Sequence, residues 1–169
     1  MTCPRLLAAF CVATLSTVDL MGHFLTCFSA SPPEYDAMTI RDPARHLVWL
    51  RCSIGQTWNG HTCLGEPKEL NLLEAEHSGA VARSELAGNW RLPSKAELES
   101  LVCRECQPLK INGLLYPNTA PGAYWTQSVN NFNSSLYWSV SFQNGYSFGR
   151  NPAELTHFVR LVSPLDPLE

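Results

Sequence analysis

The sequence predicts an α+β fold with two helices and a β-rich C-terminal half. Two segments in the middle of the chain have helical patterns, over residues 69–86 and 94–102. Later, residues 136–142 (LYWSVSF) alternate between two sets of side chains, one of them wholly apolar, which is typical of a strand. Asn144-Gly145 follows and favours a tight hairpin turn. A strand, two helices and then several strands make an α+β arrangement.

Composition limits the class of protein. With 169 residues the chain is long enough for one domain, and hydrophobic residues make up 45% of it. Charged residues make up only 16%, which argues against disorder. The net charge is −3 and there is no basic run, so nucleic acid and anionic membranes are poor partners. The 12 prolines and 10 glycines indicate many turns and irregular loops.

The first part of the chain, residues 1–30, is predicted to be a signal peptide. Arg5 is its only early positive charge, and a short apolar run follows over residues 6–18. This run is shorter than the roughly 20 apolar residues that a membrane-spanning helix needs. Small residues near position 30 suit a signal peptidase, and lipidation at Cys27 is an alternative. We therefore expect an exported protein (periplasmic, cell-surface or secreted) without a membrane span; a cytoplasmic or buried N-terminus is the other interpretation.

Cysteine usage supports export. The chain has seven cysteines, of which four follow the leader: Cys52, Cys63, Cys103 and Cys106. Such a set suits an oxidising compartment. Local pairing, Cys52 with Cys63 and Cys103 with Cys106, is the simplest arrangement, although other connectivities stay open. The second pair forms a CxxC motif, but it follows a helix, whose negative end opposes thiolate formation, so a structural disulfide is favoured over a redox pair.

The predicted elements run as follows. A Pro-containing segment, residues 31–44, leads into an apolar strand over residues 46–50 (HLVWL). Asn59-Gly60 predicts a tight turn between Cys52 and Cys63. The last strand is predicted over residues 157–162 (HFVRLV).

The two helices differ in the quality of their signals. The first pattern, residues 69–86, is interrupted by Gly79. Its candidate core residues are Leu70, Leu73, Val81 and Leu86. In the second, Ser94-Lys95-Ala96-Glu97 fits a capping box, and apolar residues at 98, 101 and 102 lie on one side.

Several strings together resemble a known family. They are HLVWLRCSIGQTWNGHTCLG, NWRLPSKAELESLV, INGLLYPNTAPGAYWTQS, YWSVSFQNG and FVRLV, in this order. The chain resembles the C-terminal domain family of the Legionella collagen-like adhesin over residues 45–165. The resemblance implies a C-type-lectin-like fold, related to that of formylglycine-generating enzymes, with paired N- and C-terminal strands. It also implies adhesion and binding of sulfated polysaccharides. The chain has no collagen-like repeat, so trimerisation through such a stalk is not implied.

The C-terminal hairpin carries the main candidate binding surface. A two-residue turn at Asn144-Gly145 pairs position 143 with 146, 141 with 148 and 139 with 150, and opposed residues share a sheet face. One face then combines aromatic, hydroxyl, amide and guanidinium groups, a mixture typical of adaptable binding surfaces. Its members are Tyr137, Ser139, Ser141, Gln143, Tyr146, Phe148 and Arg150. The alternatives are a second buried face or an ordinary polar surface.

Residues 127–135 (QSVNNFNSS) form a second candidate. The amides of Asn130, Asn131 and Asn133 are predicted to lie in a surface loop, where they suit a sugar ligand. Calcium is disfavoured because the stretch contains no carboxylate. His61 and Cys63 lack the four-ligand spacing of a zinc site, and no cofactor motif is present.

Three classes of function follow from these features. The leading hypothesis is an exported module that binds an extracellular glycan or protein, without catalysis. An enzyme of the formylglycine-generating type is the second and requires a reactive cysteine pair. A structural subunit of a surface or envelope assembly is the third, and the sequence does not fix the oligomeric state.

Overall fold

Residues 38–165 are described by a computed structural model. The predicted signal peptide, residues 1–30, lies outside this range. Within residues 38–165 no helix is both long and apolar enough to span a bilayer.

The elements in chain order are β1 (Thr39–Asp42), β2 (Leu47–Leu50), β3 (Thr57–Trp58), β4 (Cys63–Leu64), α1 (Leu72–Glu85), α2 (Lys95–Glu99), β5 (Ala123–Asn130), β6 (Asn133–Ser141), β7 (Ser147–Pro152) and β8 (Val162–Pro164). The α+β class is confirmed, and β1 forms within the segment expected to be a linker.

Three antiparallel sheets are built from these strands, in the orders β1-β2-β8, β3-β4 and β5-β6-β7. Trp49 in β2 lies opposite Ile40 in β1 and Val162 in β8. All three side chains are buried. The pairing of β2 with β8 confirms that strands from the two ends of the domain meet.

The segment 158–161 connects the first sheet with the third. Leu50 N donates to Leu161 O at 3.1 Å, and Trp125 N donates to Phe158 O at 2.9 Å. The strand predicted over residues 157–162 is therefore displaced, because β8 begins only at Val162. The residues before it make their backbone hydrogen bonds to two different sheets.

Helix α1 is shorter than predicted and turns a different side to the core. It begins after a capping box between Asn71 and Glu74. Its buried residues are Leu72, Ala75, Gly79 and Ala82. Two predicted core residues, Leu73 and Val81, are 76% and 38% exposed, so that assignment is wrong for both. Gly79 lies on the inner side, where a Cβ would be 3.4 Å from Arg91 Cα, so this side of the helix packs directly against residues 90–91.

The capping box predicted for the second helix is confirmed. Ser94 Oγ accepts from Glu97 N at 3.2 Å, and the Glu97 carboxylate accepts from Ser94 N at 2.7 Å. The same carboxylate receives two hydrogen bonds of 2.8 Å from the Arg91 guanidinium. These bonds lower the pKa of Glu97 and fix the start of α2 against the preceding chain.

Both local disulfides expected from the sequence are present, Cys52–Cys63 and Cys103–Cys106. They close loops of very different length, with sequence separations of 11 and 3. A longer loop restricts the unfolded chain more, so the first bond should stabilise the fold more than the second.

Replacing Cys52 and Cys63 together by serine should lower the free energy of unfolding by about 3 kcal/mol on the loop-entropy model. The matched double change at Cys103 and Cys106 should cost about 1.5 kcal/mol, because its loop is shorter. Urea unfolding of both variants without reductant measures the difference. Equal losses, or a larger loss for the second pair, would contradict the entropic account.

Candidate ligand-binding surface

The hairpin between β6 and β7 has a different register from the predicted one. Ser139 lies opposite Phe148 and Val140 opposite Ser147, two residues away from the expected pairs. Residues 142–145 form the connection, and Gly145 N donates to Ser141 O at 2.8 Å. The two-residue turn is therefore wrong, although Gly145 does adopt a positive φ of 78°.

Phe142 causes this shift. Its side chain is fully buried, and its ring lies 4.9 Å from the Tyr124 ring, centroid to centroid. Its backbone pairs outside the hairpin, since Phe142 N donates to Gly122 O at 3.1 Å and its carbonyl accepts from Lys110 N at 2.7 Å. The core thus takes Phe142 out of the ladder with β7, Gln143 leaves the ladder as well, and the turn widens.

Part of the predicted binding face is interior. Ser139 is 0% and Ser141 5% exposed, so both are buried, and their assignment to an open face is wrong. Ser139 Oγ accepts from Asn151 Nδ2 at 3.1 Å. Tyr137 is half-buried and packs against the apolar cluster around Trp125. This face is covered because Trp125 lies opposite Ser139 in the neighbouring strand.

The remaining members of that face are exposed: Gln143, Tyr146, Phe148 and Arg150. Tyr146 is 61% and Phe148 47% exposed, which is unusual for large aromatic side chains. Phe148 and Arg150 alternate with less exposed neighbours along β7. Whether these groups bind a ligand stays a prediction.

The predicted Asn-rich loop is the tip of a second hairpin. Asn130 in β5 pairs with Asn133 in β6, and only Asn131 and Phe132 form the tip. Asn130 Nδ2 donates to Gly149 O at 2.6 Å, which ties the tip to β7. Asn130 and Asn133 also accept hydrogen bonds from nearby backbone N–H groups, so their amides shape the tip.

Phe132 is fully exposed at this tip, and the sequence analysis did not select it. Its only signal was an aromatic residue between asparagines. Six of the exposed side chains of the two hairpins are together called the hairpin surface below. Its members are Asn131, Phe132, Gln143, Tyr146, Phe148 and Arg150.

Helix α2 supports the sheet from the other side. Lys95 Nζ lies 4.8 Å from the Trp138 ring centroid and 2.9 Å from Glu99 Oε1. Ser147 Oγ donates to the same Glu99 carboxylate. Gly149 lies beneath Trp138, where an added Cβ would come within 2.8 Å of the indole ring. These contacts hold β6 and β7 in place, so the hairpin surface is displayed on a fixed support.

We next consider the described side chains that could bind a metal ion or undergo redox chemistry. Among residues 38–165 no group of three or more His, Cys, Asp and Glu side chains is placed to hold a metal ion. His157 is partly buried, which lowers its pKa, and its Nε2 lies 3.0 Å from Asn151 Oδ1. This histidine therefore supports β7 from the interior. Cys103 and Cys106 are bonded to each other.

Gly149→Ala should lower the free energy of unfolding by about 1–3 kcal/mol, because the methyl group would displace Trp138. Gly113→Ala is the matched control, since a Cβ at position 113 meets nothing within 4 Å. Urea unfolding of both variants measures the effect. Equal stability of the two variants would contradict the packing described for Trp138.

Comparison with known proteins gives one family. The model of the Lcl C-terminal domain matches residues 38–163 of the chain. No curated protein and no solved structure matches it.

Proposed function

The chain belongs to the Lcl C-terminal domain family, and we propose on this basis that it is an exported binding domain that recognises a glycan or protein ligand at a cell surface. Family membership indicates a role at the surface or in adhesion. The finer statements, that the domain binds through its C-terminal sheet and does so without catalysis, are part of the proposal.

Export is supported by the two disulfides Cys52–Cys63 and Cys103–Cys106, which lie in one stretch of 55 residues. Structural disulfides of this kind persist in oxidising compartments and are rare in the cytosol. A C-type-lectin-like arrangement is also proposed. It is supported by the antiparallel pairing of β2 with β8 and by the long loops between helices and strands.

The observation that carries the proposal is the exposure of Tyr146 and Phe148 on the β6–β7 hairpin, together with Phe132 at the tip beyond the other end of β6. Phe132, Tyr146 and Phe148 are 100%, 61% and 47% exposed. Aromatic rings bury a large apolar area with little loss of side-chain entropy, and neighbouring amide and guanidinium groups supply hydrogen bonds. Gln143 in the turn and Arg150 in β7 are exposed on the same hairpin. Such a combination suits stacking against sugar rings or packing against a protein.

The formylglycine-generating type of enzyme is the competing interpretation. It requires a reactive thiol pair, and the cysteines of the described residues are held in disulfides. The proposal therefore expects ligand binding to be the same for the oxidised chain and for the Cys103→Ser, Cys106→Ser variant. Binding that requires free thiols would favour the enzyme.

Binding to arrays of glycans and extracellular matrix proteins tests the proposal with the full chain. Tyr146→Ala and Phe148→Ala should each weaken the binding of any ligand found by about tenfold, since aromatic residues at the centre of an interface contribute most to affinity. Arg150→Ala should weaken binding and reduce its dependence on salt.

Leu114→Ala is the matched control, because Leu114 is 90% exposed and belongs to neither hairpin. It should bind as the parent chain does. Full binding by both aromatic variants would rule out the hairpin surface, and absence of any ligand on either array would contradict the binding function itself.

A further inference from the structure

Helix α1 has apolar residues on two sides. Its inner side, which includes Leu72 and Ala82, packs into the core. Leu73, His77 and Val81 follow one another at spacings of four residues, so they share another side of the helix. The two aliphatic residues of this outer side are 76% and 38% exposed. Burial in the described domain does not account for them.

This outer side forms one wall of a groove of about 900 Å³. The loop after β2, with Ile54, and strand β3, with Trp58, form another wall, and Leu50 and Leu70 contribute further apolar side chains. The Arg51 guanidinium lies 4.9 Å from the Trp58 ring centroid. Because the disulfide Cys52–Cys63 closes this loop, the wall is held in position. The groove is on α1, away from the hairpin surface.

Carboxylates line the helix edge of the groove. Glu74 and Glu85 are 11 residues apart in α1, so their positions are separated by about 16 Å at 1.5 Å per residue. Among the described residues that line the groove, Lys68 is the one lysine or arginine. Arg83 belongs to the same helix but donates to Trp90 O, on the core side. The groove therefore combines an apolar interior with a net negative edge.

We propose that this groove binds a short, extended segment of a partner protein that has apolar side chains in its middle and a basic residue at each end. The basic residues would pair with Glu74 and Glu85. Side chains of an extended chain alternate between two sides, so both basic residues face the helix only when an even number of positions separates them. Six residues of extended chain span about 20 Å at about 3.3 Å per residue, and the flexible lysine side chains cover the difference from about 16 Å. Anionic membranes and sulfated glycans are disfavoured because the carboxylates repel them.

Fluorescence anisotropy with the full chain and a labelled heptapeptide, Lys-Ala-Leu-Ala-Leu-Ala-Lys with blocked ends, tests this site, because its leucines and lysines all lie on one side of the extended chain. The peptide should bind, and the same peptide with glutamate in place of both lysines should bind at least about tenfold more weakly. Equal binding of the two peptides, or no saturable binding of the lysine peptide, would overturn the proposal. Tighter binding of the full chain to vesicles containing phosphatidylserine than to the lysine peptide would also overturn the proposal.

Variants of the groove locate the site. Leu73→Gln with Val81→Gln should weaken lysine-peptide binding by about tenfold or more, because both apolar contacts are lost. Glu74→Gln with Glu85→Gln should weaken it about three- to tenfold and remove most of its salt dependence. Glutamine at position 74 retains the ability to cap the helix.

Two controls separate groove binding from general effects. Leu114→Gln removes another exposed aliphatic side chain, and Glu105→Gln removes another exposed carboxylate; neither residue lines the groove. Both should bind the lysine peptide as the parent chain does. Tyr146→Ala should also leave peptide binding unchanged, which keeps this site distinguishable from the hairpin surface. Weakening by the controls equal to that of the groove variants would overturn the assignment.

Discussion

A fully buried arginine holds together segments that are distant in the sequence. The Arg160 guanidinium donates to the backbone carbonyls of Leu50 and Arg51, to Ser53 Oγ at 3.3 Å and to Thr119 Oγ1 at 2.9 Å. One side chain thus joins the end of β2, the start of the disulfide loop, the turn before β5 and the chain leading into β8. None of the ion pairs among residues 38–165 includes it, so neutral carbonyl and hydroxyl oxygens, rather than a carboxylate, solvate its charge.

Aromatic rings complete the environment of this charge. The guanidinium carbon lies 4.8 Å from the Tyr116 ring centroid and 5.8 Å from that of Tyr124. Tyr124 OH lies 3.0 Å from Ser53 Oγ, which extends the polar network, and burial raises the pKa of Tyr116 to about 12. Because a buried charge is costly unless it is hydrogen-bonded, the bonds made by the two terminal nitrogens of Arg160 favour this arrangement of the sheets, although its Nε is buried without a partner among the described residues. That arrangement displays the hairpin surface on one part of the domain and leaves the groove beside α1.

Local signals in the sequence predicted local structure well. The capping box at Ser94 and both disulfides depend on residues close in the chain, and family resemblance supplied the pairing of the terminal strands. Features set by tertiary packing were missed. Helix α1 has apolar residues on two sides, so the spacing of its apolar residues does not show which side faces the core. For this reason Leu73 was wrongly assigned to the core. The hairpin register was wrong because the core takes Phe142 out of the ladder, and Ser139 is buried by a neighbouring strand that the alternation pattern does not reveal.

The unfolding free energy of Arg160→Lys tests the central role of this side chain most directly. Lysine keeps the charge but lacks the planar fork that reaches several acceptors at once, so carbonyl and hydroxyl groups would be left unpaired. We expect a loss of about 3 kcal/mol or more in urea unfolding. The exposed Arg150→Lys change should leave stability within about 0.5 kcal/mol of the parent. A loss below about 1 kcal/mol for Arg160→Lys would contradict the account, because surface arginines behave that way.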